Sequence, residues 1–227
     1  GVSYLQRCLP SPKLRYIISP PPLGVGPTGN DFLGLMSLCY LPSYKNNNFG
    51  VIMKASQTEL DGVLLIEPTV HHDSRGRFFE SYAKEKYRAV GIQEDFVQDN
   101  QSLSNKNVLR GLHYRVDPEQ AKLVRVVKGE VFDVVVDIRK SSPTFGKWQS
   151  FILSDTNHLQ LYVPVGFAHG FCVLSDTSEF SYKVSEYYSG KKEKGLIWND
   201  PDIGIDWPIS DPILSDKDES NPRLRSL

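Results

Sequence analysis

The sequence has few cysteines, and they match no pattern that would stabilise a fold or hold a metal. Its 227 residues contain three, Cys8, Cys39 and Cys172, which are far apart in the chain. An odd number of scattered cysteines does not suggest a disulfide framework, and their spacing fits no zinc site. The simplest expectation is a protein of the reducing cytoplasm.

The chain also lacks a charge excess and a long apolar run. It has 26 basic and 27 acidic residues, so no overall field attracts it to nucleic acid or to a membrane surface. Any anion that it binds must be held by a local cluster. The longest apolar stretch, from Phe32 to Leu41, is too short to cross a bilayer. It follows Asp31, whereas a secretory signal would have a basic flank.

Residues 1–52 differ in composition from the rest of the chain. They contain seven of the fifteen prolines and five charged side chains, and they show no sustained period of 2 or 3.6. Met53 begins a stretch that resembles an ordinary protein start. We therefore predict an N-terminal extension of unassigned role over 1–52 and a single domain over 53–227. The alternative is that the extension is an arm that docks on the domain or on a partner subunit.

The remaining sequence is typical of an all-β protein. A hydrophobic fraction of 40% is enough to bury a core, and short extended runs recur every 8–12 residues or so, between turn residues. Only 83–90, ended by Gly91, indicates a helix. This pattern predicts a barrel or a two-sheet jelly roll with a pocket between its sheets. The predicted strands are 63–66, 77–82, 96–101, 108–114, 122–127, 131–138, 148–153, 160–163, 170–174 and 179–184.

The stretch Asn107–Tyr114 contains a candidate site. Arg110 and His113 lie three positions apart in a predicted strand, and Gly111 between them would let the backbone pass close to another element. An arginine suits a phosphate, and a positioned histidine suits proton transfer near neutral pH. Taken alone, a histidine in a strand is more often a buried, hydrogen-bonded residue than a catalytic one.

Two further polar stretches are candidates for substrate contacts. Residues 73–80 place Arg75 before a glycine at a turn and Glu80 five positions on; the alternative is a solvated hairpin with surface charges. Gln98, Asp99 and Asn100 are consecutive in a predicted strand. Because neighbouring strand residues face opposite ways, we expect at least one of these three to lie in the pocket.

The stretch Pro164–Phe171 delivers His169 onto a strand through a turn, which is a feature of cupin jelly rolls. Metal-binding cupins have a His-x-His pair at the first motif, but Arg115 stands two positions after His113. Val173 occupies the place where an asparagine would be expected after His169. A three-histidine site is not available, and Arg115 would repel a cation, so we predict a cupin without metal.

Tyr182 alternates with Phe180 along the last strong strand, so both face one side. A tyrosine in such a position is more often a core residue with a hydrogen-bonded hydroxyl than an acid catalyst.

Taken together, these stretches resemble the dTDP-4-dehydrorhamnose 3,5-epimerase family of sugar-nucleotide enzymes. The resemblance runs from about Gly62 to Pro222 and leaves out 1–52. It implies a cupin jelly roll (a double-stranded β-helix) with one or two short helices, usually a homodimer, and no cofactor or metal. The matching blocks are 73–80, 96–100, 107–113, 122–125, 129–133, 137–146, 164–171, 198–200 and 214–218.

The resemblance also implies roles for individual residues. His113 matches the catalytic base, Asp218 the carboxylate that orients it, Tyr182 the acid on the opposite face of the sugar, and Lys122 the cation beside the C4 oxygen. Arg75 and Arg110 would be the diphosphate anchors. The residues expected to contact substrate are Arg75, Glu80, Gln98, Asp99, Asn100, Arg110, His169, Glu193 and Lys217.

These residue types suit the reaction that the family performs on dTDP-4-dehydro-6-deoxy-D-glucose. The C3 and C5 hydrogens are both α to the C4 carbonyl, and removing either gives an enolate with its charge on the C4 oxygen. A base on one face, a donor on the other and a cation at the oxygen allow inversion. The expected product is dTDP-4-dehydro-L-rhamnose.

Three alternatives stay open at this point. A related enzyme could invert only C3 or only C5 of another deoxysugar, with nearly the same motifs. A non-catalytic sugar-binding cupin would need no acid–base pair, and a metal-dependent cupin oxygenase would carry bound iron.

Overall fold

The computed structural model describes residues 53–227, which form two packed β-sheets. The extension 1–52 and the boundary predicted after it lie outside the described residues. The strands of the six-stranded sheet are β1 Met53–Gln57, β2 Leu64–Pro68, β5 Gln98–Asn105, β7 Lys122–Lys128, β10 Gln160–Val163 and β12 Thr177–Val184. Those of the five-stranded sheet are β6 Leu109–Arg115, β8 Glu130–Asp137, β9 Trp148–Ser154, β11 Phe167–Val173 and β13 Glu193–Gly195. The first sheet has the order β1-β2-β10-β7-β12-β5, and the second has the order β13-β6-β11-β8-β9.

The remaining elements are short. The strands β3 His71–Asp73 and β4 Gly76–Phe78 form a separate hairpin. The helices are α1 Lys84–Ala89 and α2 Asp216–Glu219, followed by a 3-10 turn over Leu224–Ser226. No helix among residues 53–227 has the length and apolar character needed to cross a membrane.

Alternation along the strands produces a core between the two sheets. Val124 and Phe180 of the first sheet pack there against Phe171 of the second, because residues two apart on a strand share one face. The outward faces are covered as well. Leu123 of β7 packs under α1 against Tyr87, and Phe132 of β8 packs against Trp207 of the C-terminal segment. Both sheets are therefore buried on both sides over much of their area.

The predicted all-β jelly roll and the single short helix near residue 83 are confirmed. The strand predicted over 77–82 is wrong in extent, since it ends at Phe78. The β3–β4 hairpin pairs no further than that residue, after which the chain turns to pack Tyr82 against Tyr87. The short elements β1, β13 and α2 were not predicted, because they carry little hydrophobic pattern of their own.

Candidate active site

Two glycines bring the candidate histidines onto neighbouring strands. Gly111 of β6 crosses Gly170 of β11 so closely that a Cβ at Gly111 would lie 2.6 Å from the Gly170 Cα. Its φ of 127° also lies in the region that favours glycine. The close approach predicted for Gly111 is confirmed. It places His113 directly opposite His169 in the antiparallel register.

His113 is held by a carboxylate from the far end of the chain. The Nε2 atom of His113 lies 2.6 Å from Oδ1 of Asp218, on helix α2. Ser215 caps this helix by accepting from the Asp218 backbone N–H. On the neighbouring strand, Gly195 faces His113, and a Cβ there would collide with Asn221. The absent side chain thus lets the segment that carries Asp218 approach the imidazole.

The environment of Asp218 keeps its carboxylate ionised, so that it can form an ion pair with a protonated His113 ring. Burial acts to raise the pKa of Asp218, but the hydrogen bond and charge of His113 outweigh it and hold that pKa below its ordinary value. An ionised carboxylate fixes the imidazole tautomer and stabilises the imidazolium. His113 remains 33% exposed, which leaves its ring open to a ligand.

Lys122 and Tyr182 come from the inner face of the opposite sheet. They flank the buried Val124. Lys122 lies two residues before Val124 on β7, and Tyr182 of the neighbouring strand β12 pairs with Val124. The Nζ of Lys122 donates to the His113 carbonyl at 3.4 Å. Burial lowers the pKa of Lys122 to about 8, although Glu193 and Asp133 oppose the shift. Burial and the charge of Glu193 raise the pKa of Tyr182.

His169 belongs to a second carboxylate–imidazole pair, which the sequence analysis missed. Its Nε2 lies 3.0 Å from both carboxylate oxygens of Asp133, and the ring stacks on Phe180. Asp133 is completely buried, and burial raises its pKa. A lone aspartate in the apolar run Val131–Val136 was the signal, because an unpaired carboxylate is rarely buried in a core strand.

The Gln98–Asn100 stretch divides between the two faces of the sheet, as alternation requires. Asn100 pairs with Tyr182 and Gln98 with Val184, so both belong to the inner face. Gln98 also accepts a hydrogen bond from the Tyr188 backbone N–H. Asp99 is not brought to this group: its carboxylate binds Lys183 on the outer face.

The other predicted residues are placed unequally. Arg110 donates from Nε to Ser104, and its charge reaches Tyr182. Glu193 lies on β13, and its charge acts on Lys122 and Tyr182.

Besides Asp99, three predicted residues lie outside this group. Arg75 is 88% exposed on the β3–β4 hairpin, where it pairs with Asp73, and Glu80 binds Lys86. Neither is brought to His113 within the chain. Lys217 is exposed on α2, beside Asp218.

The side chains gathered around His113 are of types that can transfer protons and carry charge. In the part of the chain that the structure describes, no three or more His, Cys, Asp or Glu side chains form a group that could hold a metal ion. His113 and His169 each contact an aspartate instead. A partly exposed imidazole from one sheet can remove a proton from a bound carbon acid. From the other sheet, a phenol can donate a proton and an ammonium can stabilise the negative charge that forms.

Comparison with known proteins identifies the family. A model of the dTDP-4-dehydrorhamnose 3,5-epimerase family matches residues 57–226. A dTDP-4-dehydrorhamnose 3,5-epimerase from Shigella flexneri is 56% identical over 168 residues, which are 73% of this chain and 93% of the relative.

Solved structures agree. The chain superposes with a TM-score of 0.74 and 47% identity on a dTDP-6-deoxy-D-glucose-3,5-epimerase from Legionella pneumophila in complex with dTDP-4-keto-L-rhamnose, over 76% of this chain and 93% of that one. A 3'-monoepimerase from Streptomyces bikiniensis in complex with dTDP-quinovose gives a TM-score of 0.70 at 36% identity, over 74% of this chain and 86% of that one. With the family model covering most of its length, the chain belongs to the dTDP-4-dehydrorhamnose 3,5-epimerase family.

Proposed function

We propose that this protein inverts C3 and C5 of dTDP-4-dehydro-6-deoxy-D-glucose to give dTDP-4-dehydro-L-rhamnose, the epimerisation of dTDP-L-rhamnose biosynthesis. The observation that carries the proposal is the pairing of His113 of the five-stranded sheet with Asp218 of α2, while Lys122 and Tyr182 come from the inner face of the other sheet. Family membership supports the same reaction.

The proposed chemistry needs only these side chains. His113 takes the proton from C3 or C5 as its imidazolium is stabilised by Asp218. The enolate charge develops on the C4 oxygen, where the Lys122 ammonium offsets it. Tyr182 gives its proton to the carbon from the opposite face, so that the configuration inverts. His113 then loses its proton to solvent and Tyr182 takes one from solvent, which restores both groups. Base, acid and cation are all supplied by the chain, so the proposal includes no metal and no cofactor.

Substrate binding is proposed to use cations for the diphosphate and polar side chains for the sugar and the base. Arg110 lies near Tyr182 and is exposed enough to meet a diphosphate. Gln98 and Asn100 offer amides on the inner face, and His169 and Glu193 lie within the same group. Tyr187 and Tyr188 are exposed beside Gln98 and could stack on a base.

We also propose that the active form is a homodimer. Arg75 and Glu80, two of the residues expected to contact substrate, lie away from His113 in their own chain. The hairpin that leads to them exposes the apolar ring of Phe78. A second copy would cover that ring and bring the two charged side chains to its own site. The scattered cysteines favour a cytoplasmic enzyme.

The test is incubation with dTDP-4-dehydro-6-deoxy-D-glucose in heavy water, followed by proton NMR. Loss of both the C3 and the C5 proton signals is expected, because each centre is reprotonated from solvent-derived deuterons. Exchange at one centre only would favour the alternative of an enzyme that inverts a single centre, such as the 3'-monoepimerase from Streptomyces bikiniensis. No exchange at either centre would refute both and leave a binding protein.

A further inference from the structure

Arg115 is buried beside the candidate site, although its side chain is charged. It lies two residues after His113 on β6 and therefore on the same face of the strand. Its side chain is only 5% exposed. Arginine is almost never buried to this extent unless it is paired, so its partners should explain its position.

The partners of Arg115 are two carboxylates and one loop carbonyl. Its Nη1 donates to the Pro118 carbonyl at 2.9 Å, which ties down the loop between β6 and β7. Nη1 also lies 3.7 Å from Glu186, and Nε lies 3.9 Å from Glu193. Nε is buried and has no hydrogen-bond partner among residues 53–227. The guanidinium thus lies close to two carboxylates at once, and its Nε is near Glu193 without a hydrogen bond to it.

Glu193 is the point at which Arg115 can act on the site. The two residues are directly paired across β13 and β6, and the Glu193 side chain is largely buried. The carboxylate raises the pKa of both Lys122 and Tyr182 by its charge. Without a compensating cation, the Glu193 carboxylate would raise these two pKa values more strongly, because its buried surroundings screen its charge poorly.

Titratable groups lie on most of the elements packed around Lys122, whereas its sheet neighbour β10 contributes the apolar Val163. Two of them, Glu193 and Asp133, act on its pKa by their charge. The groups around it are Glu193 of β13, Asp133 of β8, His169 of β11, His113 of β6 and Tyr182 of β12.

We infer that Arg115 is a positioning residue, which holds the Glu193 carboxylate at the site and limits the negative charge that Lys122 experiences. The inference rests on the proposed function for its catalytic meaning, but the electrostatic coupling can be measured without it. Arg115 touches no reacting atom in this scheme. It acts through Glu193.

The test is an NMR titration of Lys122 in the full chain, with lysine labelled at Cε and the signal assigned by its loss in Lys122→Met. The wild-type midpoint should lie at about 8. Arg115→Gln should raise it by about half a pH unit or more, because Glu193 is no longer balanced. Glu193→Gln should lower it. The double variant should titrate like Glu193→Gln alone, since Arg115 acts through that carboxylate.

A matched control is Lys194→Gln, which removes an exposed cation next to Glu193 on the same strand and should leave the midpoint unchanged. An unchanged midpoint in Arg115→Gln, or additive shifts in the double variant, would overturn the inference. If Arg115→Gln does not fold, Glu186→Gln gives the second measurement. It frees the guanidinium for Glu193 and should lower the Lys122 midpoint, and no change would equally overturn the inference.

Kinetics give an independent readout. In Arg115→Gln the alkaline limb of kcat should move to higher pH together with the Lys122 midpoint, whereas a purely structural loss would lower kcat at every pH. An inactive wild-type enzyme would refute the proposed function and leave the NMR result on Arg115 standing. An active enzyme with an unmoved midpoint would refute the inference alone.

Discussion

The two histidines of the site are paired across neighbouring strands but differ in their freedom to react. His169 is 7% exposed, meets both oxygens of Asp133 and stacks on Phe180. His113 is more exposed and meets one oxygen of Asp218. A general base must reach the proton that it removes. The surroundings therefore favour His113 as the base and His169 as a fixed contact.

Removing the proposed base or the proposed acid should slow epimerisation strongly without unfolding the protein. We expect His113→Ala and Tyr182→Phe each to lower kcat by about 10²–10⁴-fold, the usual contribution of a positioned acid–base group. Tyr114→Phe is the matched control, because it removes a phenol from the opposite face of β6. Circular dichroism should be unchanged in all three. Near wild-type turnover in His113→Ala would contradict the assignment.

The charge of Lys122 should limit activity at alkaline pH. The Lys122 side chain offsets the enolate charge only while it is protonated. Its contribution to kcat is therefore complete below its pKa and is lost as pH rises through that value. With that pKa lowered to about 8, kcat should decline above pH 8. Lys122→Arg, which stays charged, should have a lower kcat at neutral pH but no decline near pH 8. The pH profile of kcat checks this, and a decline that persists in Lys122→Arg would assign it to another group.

Among the elements, the turn after β8 is stabilised by one buried carboxylate. Asp137 accepts from Arg139, Ser142 and Thr144. Burial acts to raise its pKa, but these bonds outweigh it and place the pKa far below the ordinary value. The block 137–146, which the sequence analysis noted only as part of a resemblance, is therefore explained as a structural turn that fixes the end of the strand carrying Asp133.

Asp137→Asn should destabilise the fold by about 3 kcal/mol, because it leaves the partly exposed Arg139 guanidinium and two hydroxyls poorly paired. A carboxyl with a lowered folded pKa contributes stability that is complete above its unfolded pKa and is lost as pH falls through the folded value. The difference in urea stability between wild type and variant should thus be large at pH 7 and shrink on acidification below about pH 4.

The exposed pair of Asp202 with Arg225 supplies the control for this measurement. Asp202→Asn should change the free energy of unfolding by less than about 1 kcal/mol. Equal effects of the two substitutions would show that Asp137 has no special role in the turn.

At the scale of the whole molecule, the β3–β4 hairpin presents the most exposed large apolar side chain among residues 53–227. Phe78 is 73% exposed there, close to Arg75. Phe78→Asp should convert the proposed homodimer to a monomer, seen by light scattering, and raise KM, because Arg75 and Glu80 would no longer reach a second copy. Ile213→Asp, another exposed apolar position, is the control. A dimer that survives Phe78→Asp would place the interface elsewhere.

Residues 1–52 are expected to contribute nothing to the domain. The family model begins at residue 57, and strand β1 begins at Met53. A chain that starts at Met53 should keep the melting temperature and the kcat of the full chain. A large loss of either would instead support the docking arm that the sequence analysis left as the alternative.

Much of the architecture was contained in local pattern. A period of two, interrupted by turn residues, predicted ten strands, most of which form close to their expected bounds. The motifs around His113 and His169 indicated two histidine-bearing strands, which lie side by side in the five-stranded sheet. Such features are readable because side-chain alternation and turn chemistry depend on residues that are near in sequence.

The contacts between the residues of the site could not be predicted from local patterns. Alternation shows that Asp99 and Asn100 face opposite sides, but not which side is inner until register and sheet packing are set. His113 and Asp218 are 105 residues apart, and Asp133 of β8 meets His169 of the neighbouring strand β11. The burial of Arg115 likewise depends on β13 lying beside β6. These contacts exist because separate segments are packed together, and no local pattern encodes which segments those will be.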